Sequence, residues 1–130
     1  MTFKDTYESS PFWKLLGIEM DQVNPEFVRI KLSITSSFLN VNRSVHGGII
    51  ASMLDTIMGV TLRHQNYDAK VATVSLTTQF IAPVLEGTTI YGTARVVHCG
   101  RRIAALEAKL ESSESGEILA TGIGTFVIKR

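Results

Sequence analysis

The spacing of apolar positions changes once along the chain, and that change organises everything else. Residues 26–34 alternate: Val28, Ile30, Leu32 and Ile34 are separated by Arg29, Lys31 and Ser33. Such alternation is the mark of a half-buried strand. Beyond His46-Gly47-Gly48 the period lengthens. Ile49, Ile50, Met53, Leu54, Ile57, Met58, Val60 and Leu62 cover most of a helical wheel. A helix with so narrow a polar face is not a surface helix, and other elements must wrap it. Ser52, Asp55, Thr56 and Gly59 interrupt it, and it is too short to span a bilayer.

The remaining elements follow from breakers and periodicity. Residues 1–8 are polar and read as loose. Ser9-Ser10-Pro11 opens a short helix with Phe12, Trp13, Leu15 and Leu16 as its apolar face and Gly17 as its stop. Residues 18–23 read as a strand, and Asn24-Pro25 turns the chain into the alternating strand 26–34. A loop over residues 35–45, containing Phe38 and Leu39, leads into the long helix. After a polar link over residues 64–70, the β-branched residues 71–82 read as a strand ended by Pro83. Residues 88–98 and 118–128 are further strands. Residues 103–112 contain good helix formers, yet they alternate and lie between turn signals, which makes them a strand. The turn on their far side is Glu114-Ser115-Gly116-Glu117. Tight turns imply antiparallel neighbours. An α+β fold results: one antiparallel sheet of about six strands curls around one long helix, in a single domain over residues 1–130.

Composition narrows the function. The chain has 130 residues, 45% of them hydrophobic, more apolar surface than so small a domain easily hides. Burial between subunits in a homo-oligomer is the expected outlet. A formal charge of +1 with interspersed signs argues against nucleic acid and a polybasic membrane anchor. One cysteine, Cys99, excludes an internal disulfide framework. The first residues carry acids and lack the apolar core of a signal peptide. The expected location is the cytoplasm. His64, His98 and Cys99 lack a ligand spacing, so no metal is expected.

Candidate chemistry concentrates at the helix start. The first N–H groups of a helix have no internal partner and carry the positive end of its dipole. Glycines let a ligand approach them closely. Gly47 and Gly48 therefore suit an oxyanion site, or else merely permit the junction between loop and helix. Asp55 is a carboxylate in an apolar wall, and carboxylates are seldom buried without a partner or a task. It follows Gly47 by eight residues, about 12 Å along the axis at ~1.5 Å per residue. It therefore cannot easily act on a carbonyl at its own helix start. Two such helices packed antiparallel across a two-fold axis would bring each Asp55 to the other's Gly47. The alternative is a carboxylate hydrogen-bonded to Thr or backbone in a subunit interface.

The spacing Asn40, His46-Gly47-Gly48, Asp55 at the start of a buried helix resembles the hotdog-fold acyl-CoA thioesterases, in particular the phenylacetate-pathway (PaaI-like) branch. Later segments agree: TVSLTTQFIAP from Thr73, Gly87, Gly100-Arg101-Arg102, and GEILATGIGTF from Gly116. The likeness runs over residues 12–128. It implies hydrolysis of an acyl-CoA to free acid and coenzyme A, with no cofactor, because coenzyme A belongs to the substrate. It implies a dimer or a homotetramer (a dimer of dimers) whose sites are shared across the dimer interface. Asp55 would be nucleophile or general base. Asn40 would hold water or orient the thioester, unless it only shapes the loop through an Asx-turn. His46 would support the loop, and Thr73 would bind Asp55. Arg101 and Arg102 would meet the coenzyme A phosphates. Phe38, Leu39, Met53, Ile57 and Met58 suggest an apolar acyl pocket. One departure stands out: many relatives carry Gly three residues before the His, where this chain has Arg43.

Two other functions fit less well. A hotdog hydratase needs a His and a carboxylate converging on one acyl chain, and His46 and Asp55 are too far apart on one helix. A non-catalytic acyl-CoA sensor usually carries a DNA-binding domain, for which there is no room.

Overall fold

The computed structural model describes residues 1–66, 68–113 and 116–130. Its elements, in chain order, are α1 (Phe3–Glu8), α2 (Pro11–Leu16), β1 (Glu19–Val23), β2 (Val28–Ser33), α3 (Gly47–Gln65), β3 (Lys70–Phe80), β4 (Thr89–Cys99), β5 (Ile103–Ser112) and β6 (Ile118–Lys129). A 3-10 turn over Ser36–Phe38 precedes α3. The strands form one antiparallel sheet in the order β1-β2-β4-β5-β6-β3. The sheet wraps α3, as its near-continuous apolar wheel requires. Ile50, Met53, Leu54, Ile57, Met58, Val60 and Leu62 are all buried. Each such side chain contributes about 1.5–3 kcal/mol on leaving water.

Close approach of helix to sheet depends on small residues in the strands beneath. A Cβ on Gly124 would lie 3.0 Å from Met58 Cε, and one on Gly122 would lie 3.4 Å from Leu54 Cδ1. The tight pattern of residues 118–128 therefore reflects a helix pressed onto the strand as well as strand alternation.

Four expectations need adjustment. Residues 1–8 are not loose. Thr2 and Asp5 form a reciprocal capping box, with Asp5 N–H donating to Thr2 Oγ1 at 3.0 Å. Phe3 and Tyr7, four apart on one face, then pack beside the end of α3, where the Phe3 and His64 rings are 5.4 Å apart. Secondly, β3 and β4 are not neighbours. Residues 81–88 carry the chain from one edge of the sheet to a place beside β2. On the way Val45 N–H donates to Val84 O and Gly87 N–H donates to Ile34 O. This crossing lays the segment against the start of α3. Thirdly, Met53, Ile57 and Met58 are fully buried in the core and line neither of the clefts beside the start of α3. Finally, the expected turn at Glu114-Ser115-Gly116-Glu117 falls partly on Glu114 and Ser115, which lie outside the described residues.

Among the described residues β3 has one partner, β6, and its other edge is open. It is 11 residues long and mostly exposed, with Val74 and Phe80 uncovered. Long unprotected edges offer a ready template for another strand.

Candidate active site

The approach to α3 is a small hairpin. Asn40 N–H donates to Ser44 O at 2.7 Å, and Arg43 N–H donates to Asn40 O at 3.0 Å. Val41, Asn42 and Arg43 are its three loop residues. The Asn40 side chain locks it: Oδ1 accepts from Asn42 N–H at 2.8 Å and Ser44 N–H at 3.3 Å, while Nδ2 donates to Ser44 Oγ at 3.2 Å. That is the loop-shaping arrangement of an Asx-turn.

His46 is the N-cap of α3, with extended backbone. Its Nδ1 accepts from Gly48 N–H at 2.8 Å. The imidazole thereby satisfies one of the helix's orphan donors. Gly47 N–H, one residue earlier, has no hydrogen-bond partner among the described residues. A Cβ on Gly47 would lie 3.3 Å from Phe80 Cε1 at the end of β3, a tight contact that the exposed Phe80 ring can relieve by a small shift.

Asp55 sits two turns along α3, half-buried, on the side facing β3. Thr73 Oγ1 donates to its Oδ1 at 2.6 Å. A bulge between Thr73 and Ser75 puts Val74 out of register with β6. Bulges re-aim neighbouring side chains; here Thr73 and Leu76 both face the helix side although an even number of residues, Val74 and Ser75, lies between them. One carboxylate oxygen is held, and Oδ2 has no partner among the described residues. β3 thus borders both features of the helix, with Phe80 against Gly47 and Thr73 against Asp55.

The chain does not bring Gly47 and Asp55 together, because the helix holds them about 12 Å apart. Arg101 and Arg102 are also remote. Their turn adjoins the other end of α3, where Asn66 Nδ2 lies 3.8 Å from Cys99 Sγ. That end is about 28 Å from Gly47 along the helix. Both arginines are exposed.

Two clefts flank the start of α3. One, of about 330 Å³, lies between Val45, Gly47, Ile50, Phe80 at the end of β3 and the crossing residues Ile81 to Val84. The other, of about 360 Å³, lies between α2, the 3-10 turn and the first turns of α3. Sequence reading missed Phe80, because its place beside Gly47 depends on where the crossing segment runs. Phe12 and Leu16 were visible only as part of an apolar face.

A six-stranded antiparallel sheet around one helix, with an open glycine N–H at its start and a bound carboxylate on its flank, defines a hotdog-fold protein. The thioesterase superfamily model matches residues 42–119, and the chain belongs to that family, as a PaaI-like thioester hydrolase. It is 29% identical to the acyl-coenzyme A thioesterase PaaI of Escherichia coli over 108 residues, covering 83% of this chain and 76% of that one. It is 25% identical to human acyl-coenzyme A thioesterase 13 over 112 residues, 85% of this chain and 80% of the other. The solved structure of E. coli PaaI superposes with a TM-score of 0.86 at 24% identity, covering 94% of this chain and 86% of that one.

Proposed function

We propose that this protein hydrolyses an acyl-CoA thioester to a free acid and coenzyme A, as a cytoplasmic homo-oligomer. The observation that carries the reading is the placement of two half-sites along one open strand edge. Among the described residues Gly47 N–H lacks an acceptor and β3 is unpaired on its outer edge, while Asp55 is oriented by Thr73. Pairing β3 with its copy across a two-fold axis would run two α3 helices antiparallel. Each Asp55 would then face the partner's Gly47, completing two sites.

In this reading the thioester carbonyl oxygen accepts from Gly47 N–H at the positive end of the helix dipole. Asp55 of the partner subunit takes a proton from water as the water oxygen bonds to the carbonyl carbon, or attacks that carbon itself through Oδ2, forming an acyl–Asp55 anhydride that water hydrolyses to the free acid once the thiolate has left. The carbon–sulfur bond then breaks, and the departing thiolate collects a proton. Thr73 positions Asp55. His46 fixes Gly48, and Asn40 acts through the shape of the hairpin that delivers both. The same two-fold axis would carry Arg101 and Arg102 towards the partner's helix start, where coenzyme A phosphates need cations.

The decisive experiment is hydrolysis of an acyl-CoA panel by wild type and Asp55→Ala. Activity should fall about 10²–10⁴-fold while the oligomer mass is retained. Equal rates in the two proteins would take Asp55 out of the chemistry.

A further inference from the structure

Helix α2 divides its apolar residues among three surroundings. Trp13 is 4% exposed and rooted in the core, where its ring meets Tyr7 at 5.3 Å. Leu15 points to solvent at 77% exposure. Phe12 and Leu16 are four residues apart and so share a face. That face looks across the larger cleft to Phe38 and Leu39, and Gly48 and Ile49 form its floor. The cleft opens one residue from the free Gly47 N–H.

A thioester held by its carbonyl at Gly47 sends two arms away from that point. The coenzyme A arm carries amides and phosphates and needs polar partners. The acyl arm needs apolar walls. This cleft supplies the second kind. Its two hydroxyls are already engaged, Ser52 Oγ donating to Gly48 O at 2.8 Å and Ser37 Oγ paired with Thr35 Oγ1 at 2.9 Å. The other cleft lies beside the open edge of β3, where a partner strand would be added. The α2 cleft is built within one chain.

Resting on the acyl-CoA reading above, we infer that the α2 cleft holds the acyl group and that Phe12 and Leu16 set its greatest length. The cleft volume of about 360 Å³ equals about a dozen water volumes of about 30 Å³ each. That accommodates a medium aliphatic chain or an aryl group. Phe12 and Leu16 are specificity-determining residues without a part in bond breaking.

The test is kcat/KM across straight-chain acyl-CoAs from acetyl to palmitoyl, for wild type, Phe12→Ala, Leu16→Ala and Phe12→Trp. Phe12 is 46% exposed, so shortening it leaves the core intact, and oligomer mass is recorded for each variant. The alanine variants should favour longer chains, raising the long-to-short ratio of kcat/KM about tenfold or more, the scale on which pockets discriminate methylenes. Phe12→Trp should move the optimum to shorter chains. Profiles that keep their shape in all three variants overturn the inference. A changed oligomer mass with an unchanged profile also overturns it, and assigns the cleft to a neighbouring subunit. Absence of turnover in the wild type on every chain length instead rejects the acyl-CoA reading itself, and this inference falls with it.

Discussion

The two ends of α3 are finished in opposite ways. At the C-terminal end the backbone of Asn66 donates to Leu62 O and Arg63 O, both at 3.1 Å, and its side chain donates again to Leu62 O at 3.0 Å. Arg63 and His64 in the last turn complement the dipole. Helix α1 then covers that end with Phe3 and Tyr7. Burial there pushes the Tyr7 phenol above its ordinary 10.0, and the adjacent Arg63 guanidinium only partly offsets it. At the N-terminal end the His46 side chain serves one donor, Gly48 is exposed, and Gly47, whose N–H has no partner among the described residues, lines an open cleft. An uncapped donor beside a dipole's positive end costs stability unless something else completes it. The contrast separates an end built for the fold from an end kept open for a ligand.

The sharpest way to break that contrast is to delete the Gly47 N–H while leaving the helix in place. Proline is favoured at the first helical position, and His46 before it already has the extended backbone that proline demands of its neighbour. Gly47→Pro should therefore fold and lack the donor. Gly47→Ala is the control, since it adds the same crowding against Phe80 but keeps the N–H. The proline variant should have a kcat about 10²–10³-fold below that of the alanine variant, read by steady-state hydrolysis. Equal rates would mean that the open donor has no part in the reaction.

How much of this was legible in the sequence differs between the same two ends. The buried helix, the six strands and the junction at Gly47 were readable, because each depends on local period or local breakers. The pairing of Thr73 with Asp55 was anticipated through family resemblance, but the bulge that aims Thr73 has no sequence signal in a run of β-branched residues. The strand order was not legible. Nothing local says that residues 81–88 cross to the far side of the sheet, and this crossing brings Phe80 against Gly47. Nor was α1 legible, since six polar-looking residues become a helix only through a capping box and a ring contact with a residue sixty positions away. That Met53, Ile57 and Met58 line neither cleft was hidden for a related reason: apolar residues on a helix do not announce whether a sheet or a ligand will cover them.

A smaller effect tests whether the two caps differ in kind. His46→Ala removes the acceptor of Gly48 N–H, and Asn66→Ala removes a side-chain donor to Leu62 O. Each should cost about 1 kcal/mol of stability, seen as a lower urea midpoint. Only His46→Ala should also reduce kcat, by about tenfold, equivalent to about 1.4 kcal/mol in the barrier. A comparable fall in kcat for Asn66→Ala would show that the C-terminal end also serves turnover.

The smallest expected effect lies at Arg43, in the hairpin ahead of the helix. Arg43 has φ 68°, and it alone among the non-glycine described residues has positive φ. It is the third residue of the three-residue hairpin loop closed by Asn40 and Ser44, the position where such loops favour Gly because the backbone is left-handed. Left-handed backbone costs an ordinary residue about 1–2 kcal/mol, while glycine loses about 0.5–1 kcal/mol to greater freedom in the unfolded chain. Arg43→Gly should therefore raise stability by about 0.5–1 kcal/mol, measured by urea unfolding. The arginine is exposed, so this gain sacrifices no packing. Were kcat/KM to fall in the same variant, the strain would be tied to the guanidinium at the edge of the site. With kcat/KM unchanged, the hairpin merely tolerates a residue that its geometry disfavours, and the open end of α3 works without it.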